Sequence, residues 1–154
     1  MKEASILLTL WPPVQSDWNK IAGIVGSIFE IKKVETYRYV GNDWINFIIR
    51  LYYLCYEEFE HYRYPNIPKM IPKAEYMGRF SKDICLLEIK VNNPDFQTYK
   101  NGNPYGLLEV KKMKDDIRLL YQNKIPRFSV IHSFDTPVRN NSIVSLLAAE
   151  CQKV

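Results

Sequence analysis

Apolar and polar positions recur along this chain with changing period, and each change marks a predicted element. Ala4 to Leu10 is an almost unbroken apolar run closed by Trp11-Pro12-Pro13, which predicts a fully buried strand. Ser16 or Asp17 then caps a helix whose Ile21, Ile24, Val25 and Ile28 form one stripe at spacings of 3, 4 and 7. Glu30 to Val40, with Ile31, Val34, Tyr37 and Tyr39, has the alternation of a second strand. Asn42 or Asp43 caps a long helix to about Tyr62, with Trp44, Phe47, Ile48, Leu51, Leu54 and Cys55 on its buried side. The three prolines between Tyr64 and Pro72 predict a loop. Asp83 to Val91 is a third strand, and the polar stretch Asn92 to Gly106 is a loop long enough to carry function. A helix over Leu107 to Gln122, a short strand over Phe128 to His132 and a last helix from Pro137 to Cys151, capped by Thr136, complete the chain. The order β-α-β-α-β-α-β-α predicts the α/β (α+β) class, a four-stranded sheet packed with helices. Its two least polar strands, Ala4–Leu10 and Asp83–Val91, belong at the centre.

Composition narrows the class. A length of 154 residues, 47% hydrophobic and 25% charged, fits a single domain over 1–154 with one substantial core. The net charge of +4 is mild and spread along the chain, so it suits a small anionic ligand at least as well as a polynucleotide. Cys55, Cys85 and Cys151 match no metal-ligand spacing and are expected to be reduced core thiols. The short apolar run near the N-terminus does not have the form of a signal peptide, and Ile45 to Tyr56 is too short to span a bilayer. A cytoplasmic protein without membrane attachment is expected.

The candidate chemistry centres on His132, at the end of a buried strand and just before the helix start at Thr136-Pro137. Strand ends and helix N-termini are where α/β folds receive phosphate. Lys111, Lys114 and Arg118 share one helical face, and Arg127 stands just before the strand. A histidine among cations can accept a phosphoryl group, because imidazole is nucleophilic at neutral pH and the cations offset the transferred charge. The plain alternatives are a structural histidine and a solvated lysine face paired with Asp115 and Asp116. His61, among Glu57, Glu58 and Glu60, reads as a solvated surface residue, and His61-Tyr62-Arg63-Tyr64 and Tyr37-Arg38-Tyr39 read as packing aromatics before base-stacking ones. No Walker, GxGxxG, GxSxG or HExxH motif is present.

Three segments resemble the nucleoside diphosphate kinase family. Leu8-Thr9-Leu10-Trp11-Pro12-Pro13-Val14 is similar to its first strand and lysine-proline motif, Asp116-Ile117-Arg118 to its isoleucine-arginine step, and Val130-Ile131-His132-Ser133-Phe134-Asp135 to the strand bearing its phosphorylated histidine. The chain departs from the family pattern at several positions. Trp11 stands at the place of the phosphate-contacting lysine, Ser129 at that of an asparagine, Ser133 and Phe134 at those of small residues, and Ile143 at that of the glutamate that orients the histidine. The step from Arg118 to His132 is also one residue longer than the family pattern.

The resemblance implies a ferredoxin-like sheet, His132 as phosphoryl acceptor, Arg118 as phosphate clamp and Asp135 as part of the loop holding the histidine. The expectation is a nucleotide-binding, phosphotransferase-like enzyme in which His132 is acceptor or general base, with Asp135 assigned to the catalytic site and Lys111, Lys114, Arg118 and Arg127 holding phosphate. Magnesium is expected only as the companion of a nucleoside triphosphate, and no protein metal site is expected. A catalytically inactive nucleotide- or protein-binding module of the same fold, and a basic RNA-binding domain presenting sheet aromatics, stand as alternatives. A homo-oligomer is left open.

Overall fold

The computed structural model describes residues 2–56, 67–98 and 104–154. The strands β1 (Glu3–Leu10), β2 (Glu30–Tyr39), β3 (Asp83–Asn92), β6 (Ile131–Phe134) and β7 (Cys151–Lys153) form one sheet in the order β6-β1-β3-β2-β7, and every neighbouring pair is antiparallel. The two apolar runs lie at its centre, as their composition predicts: β1 pairs with both β3 and β6, and β3 with both β1 and β2. The expected four strands are joined by a fifth, β7, whose three residues Cys151-Gln152-Lys153 carry no alternation to announce a strand. Beyond this sheet, β4 (Phe96–Thr98) and β5 (Pro104–Leu107) make a small antiparallel pair inside the stretch expected to be loop.

Helices cover both faces of the sheet, and the period-two alternation of β1 and β3 sorts the core into two layers. Ile6, Leu8, Leu10, Leu87 and Ile89 meet α1 (Trp18–Ile28) and α4 (Leu108–Leu119) through Ile21, Val25, Val110, Met113 and Ile117. Leu7, Trp11, Ile84 and Leu86 face α2 (Trp44–Tyr56), α3 (Ile67–Gly78) and α5 (Asn140–Glu150) through Phe47, Ile48, Leu51, Ala74, Met77, Ile143 and Leu147. Asp43 caps α2 as expected, its Oδ1 accepting from the Asn46 N–H at 3.1 Å. Asp17 does not cap α1; its carboxylate accepts instead from the Tyr121 hydroxyl at 2.7 Å.

Three boundaries differ from the sequence expectation for physical reasons. The proline-rich stretch expected as loop is helical from Ile67, because Pro68 falls in the first turn, where no N–H is needed, and the buried stripe Met70, Ala74 and Met77 holds the rest of α3 despite Pro72 inside it. The last strand begins at Ile131, with Arg127–Ser129 forming a 3-10 turn that leaves Phe128 at 58% exposure. Ile28, counted in the α1 stripe, is exposed at the helix end. The continuation of α2 toward Tyr62, His61 and the aromatic run after it lie outside the described residues. Cys85 and Cys151 are free thiols pushed up to about 11 and about 12, first of all by burial, which keeps them protonated. Among the described residues no helix is long and apolar enough to cross a membrane.

Candidate functional site

His132 sits at the middle of β6, an edge strand, opposite Thr9 of β1 in the ladder. Alternation along β6 sends His132 and Phe134 to the α2/α3/α5 side, and Ile131 and Ser133 to the α1/α4 side. The imidazole is half-buried in an aromatic cage. Its ring centroid lies 4.5 Å from that of Tyr52, 4.9 Å from that of Phe134 in an edge-on contact, and 6.5 Å from that of Trp11. Burial holds its pKa well below the ordinary imidazole value, and the charges of Lys114, Lys73 and Arg118 push it the same way. The ring is therefore neutral across the physiological range.

The cations reach this strand from two helices. Lys114 of α4 donates to Ser133 Oγ. Arg118, one turn on, donates from Nη2 to the Ile131 carbonyl at 2.8 Å, and its guanidinium lies 5.4 Å from the centroid of the exposed Phe128 ring. Lys73 of α3 comes from the opposite side: its ammonium lies 4.3 Å from the Tyr52 ring centroid and 5.4 Å from that of Phe128, and it donates to the Tyr52 hydroxyl. His132 and Arg118 thus flank the same short strand.

Lys111 and Arg127 are turned elsewhere. Both hold Asp115, Lys111 at 3.1 Å, and both are more than half exposed, at 63% and 51%. Although partial burial opposes its charge, hydrogen bonding from Lys111 and the fields of Arg127, Lys111 and Arg118 keep the Asp115 carboxyl below the usual carboxylate range. Lys111 also lines a separate groove of 730 Å³ with Asn93, Asp95, Leu108 and Glu109. Asp135 accepts a hydrogen bond from Ser133, and its Oδ2 lies 3.7 Å from where a side chain on Gly106 of β5 would begin. Those neighbours put it on the α4 side of β6, away from the imidazole face. Burial pushes its carboxyl above the usual range, against the pull of Lys114, the Ser133 hydrogen bond and Arg118.

The structure therefore gathers His132, Lys114 and Arg118 and separates Lys111, Arg127 and Asp135 from the ring. It adds Lys73 and Tyr52, which the sequence reading missed. The available signal for Lys73 was the 4 and 3 spacing of Met70, Ala74 and Met77, which marks α3 as a helix packed on the core. Trp11 and Ile143 are both fully enclosed in the core layer on the imidazole side.

The sheet order β6-β1-β3-β2, with helices between the strands, defines an α+β protein of the ferredoxin-like class, extended by β7. The chain is similar in fold to the nucleoside diphosphate kinase of Aquifex aeolicus in its orthorhombic C222 crystal form, with a TM-score of 0.51 and 13% identity over 94% of each chain. That protein is one of 23 matching solved chains. No family model and no curated protein matches the sequence. At this identity the likeness establishes the fold.

Proposed function

We propose that this protein binds a nucleoside triphosphate against β6 and that His132 accepts its terminal phosphoryl group. The observation that carries the reading is the convergence of Lys73, Lys114 and Arg118 on a neutral imidazole, since all three charges act on that ring in the same direction. Cations so placed favour the phosphate oxygens and oppose protonation of the nucleophile, which are the two requirements of phosphoryl transfer to histidine. In that step the imidazole lone pair forms an N–P bond while the β,γ-bridging P–O bond breaks, and its electron pair leaves on the nucleoside diphosphate. Magnesium would arrive with the nucleotide phosphates; among the described residues no three His, Cys, Asp or Glu side chains gather to hold an ion themselves. Lys111 and Arg127, engaged by Asp115, would serve as an outer rim of positive charge and not as the clamp.

A second reading, a catalytically silent nucleotide-binding module of the same fold, is favoured by Trp11 and Ile143, whose enclosed side chains supply neither an ammonium nor a carboxylate. An RNA platform on the sheet is disfavoured, because helices cover both faces and Tyr37 and Tyr39 are buried.

Incubation with γ-labelled nucleoside triphosphate separates the first two. Phosphoryl transfer gives an acid-labile, base-stable label that His132→Ala abolishes while the protein stays folded. Stabilisation by the triphosphate but not by the nucleoside, with no label taken up, replaces the enzyme by the binding module. No stabilisation by either ligand removes both.

A further inference from the structure

The three tryptophans differ in the fate of one atom. Trp18 Nε1 donates to the Trp11 carbonyl at 3.0 Å and Trp44 Nε1 to the Ala74 carbonyl at 2.8 Å. Trp11 Nε1 is buried with no hydrogen-bond partner, although the residue is wholly enclosed. An indole N–H can only donate, and a buried donor left unmatched costs about 1–3 kcal/mol. Thr9 Oγ1 is in the same condition, and Thr9 is equally enclosed. The two residues share a face of the β1 line by the two-residue period. Both also lie against His132: Thr9 is its partner in the β1–β6 ladder, and the Trp11 ring centroid is 6.5 Å from that of the imidazole.

The hydrogen bookkeeping of these groups is restrictive. A nucleophilic histidine nitrogen must keep its lone pair, so the other ring nitrogen carries the hydrogen and needs an acceptor. Trp11 cannot be that acceptor, because its own ring nitrogen is a donor. Ile143 is aliphatic, and Asp135 lies on the far side of β6. A single oxygen that accepts from both N–H groups and donates to Thr9 Oγ1 satisfies all of them, and two hydrogen bonds of about 2.9 Å through it bridge nitrogens up to about 6 Å apart. Thr9 and Trp11 are closed to solvent, so a phosphate group is too large to supply that oxygen there. A water with about three hydrogen bonds suits a polar recess of this kind.

We propose that Trp11 and Thr9 are positioning residues for His132, acting through one enclosed water that accepts from the indole N–H and the inner imidazole N–H and donates to the threonine hydroxyl oxygen. The arrangement fixes one neutral tautomer and leaves the outer nitrogen bare. Its catalytic meaning rests on the phosphoryl-acceptor role proposed above, whereas its geometry belongs to the ligand-free protein.

The test is therefore made without nucleotide. In ¹⁵N-labelled protein, ring proton–nitrogen correlations report which nitrogen of His132 is protonated. The wild type is expected to give one protonated and one bare nitrogen. Trp11→Phe keeps an aromatic ring and removes the N–H; Thr9→Val keeps the shape and removes the hydroxyl. Each is expected to move both His132 nitrogens toward the averaged values of a tautomer mixture, while Trp18→Phe, which removes an indole N–H on the other side of the sheet, leaves them in place. If Trp11→Phe fails to fold, the smaller change Thr9→Val carries the test. Unchanged His132 nitrogen shifts in the folded variants overturn the proposal even if labelled nucleotide still modifies His132. The expected shifts in a protein that never takes up label uphold the positioning and sink only the phosphoryl-transfer reading.

Discussion

Replacing Arg118 by methionine separates the charge this residue supplies from the packing it provides. Its side chain is only 8% exposed, Nη2 donates to the Ile131 carbonyl at 2.8 Å, and the guanidinium carbon lies 5.4 Å from the Phe128 ring centroid. Arg118→Met retains much of the aliphatic stem and loses a charge-assisted hydrogen bond worth about 1.5–3 kcal/mol. It also loses a cation–π contact with an exposed ring worth about 0.5–1 kcal/mol. The ion pair with Asp115 adds little, because Asp115 keeps Lys111 and Arg127. Working the other way, burial and the neighbouring Arg127 both disfavour the Arg118 cation, as the lowering of its pKa records, and the substitution relieves that cost. A net loss of about 2 kcal/mol is expected, or a fall of about 4–8 °C in the thermal midpoint for a chain of this size.

The same variant has a second consequence of opposite character. One of the cations that disfavour the His132 imidazolium is removed, so His132 should titrate at higher pH, and ¹H–¹⁵N or ¹³C NMR through the titration reads the midpoint directly. Arg118→Lys serves as the partner experiment: it keeps a positive charge, loses the planar fork, and should destabilise the fold while leaving His132 nearer its wild-type midpoint. A His132 midpoint that stays fixed or falls in Arg118→Met would refute the claim that Arg118 and the imidazole share one electrostatic site, whatever the change in stability.

The remaining predictions follow the same logic. Because the folded-state pKa of His132 lies below its unfolded value, the unfolded chain takes up a proton first as pH falls. Stability should therefore drop from about pH 6.5 downward by up to about 1.4 kcal/mol per pH unit until the folded protein also binds the proton. Urea denaturation at stepped pH should show that slope flattened in His132→Asn, and equal slopes would discard the assignment. Lys73→Gln should raise the His132 midpoint and weaken triphosphate binding by calorimetry, whereas Lys111→Gln, whose ammonium holds Asp115, should leave the midpoint where it is. In Gly78→Ala the new methyl would stand 2.8 Å from Trp44 Cδ1 and Nε1, displacing the ring that donates to the Ala74 carbonyl. A loss of about 1–3 kcal/mol, with a changed near-ultraviolet circular dichroism spectrum, is expected.

The parts of the structure visible in the sequence are those whose physics is local. The apolar runs of β1 and β3 have both faces buried, so composition alone placed them at the centre of the sheet. His132, Lys114 and Arg118 come together because a 3.6-residue period and a strand end are both readable from spacing. Long-range choices were not visible. Asp115 stands on the same helix as three candidate cations, and nothing in the spacing says that it takes Lys111 and Arg127 while Arg118 turns to Ile131. Lys73 reached the site only through the packing of α3 on α2, which its prolines concealed. Asp135 was matched to His132 by proximity in sequence, yet in an extended chain odd separations fall on opposite sides, and its contacts with Ser133 and the Gly106 backbone follow from that geometry.

Trp11 and Ile143 bear on more than the presence or absence of two polar groups. Both belong to one core layer with Leu7, Phe47, Leu51 and Phe134, so each of these positions contributes packing where a side chain facing a ligand would contribute charge. Placing a carboxylate at Ile143 would bury an ion among apolar side chains, at a cost that the orientation of one imidazole could not offset. The positive groups instead come from helices outside this layer's centre, Lys73 from α3 and Lys114 and Arg118 from α4, where long side chains pack their stems and bring their charges to the edge strand. Anion attraction and histidine orientation therefore rest on different parts of the fold. Substitutions among the cations should change ligand affinity and the His132 titration together, while substitutions at Thr9 and Trp11 should change the tautomer with little effect on affinity.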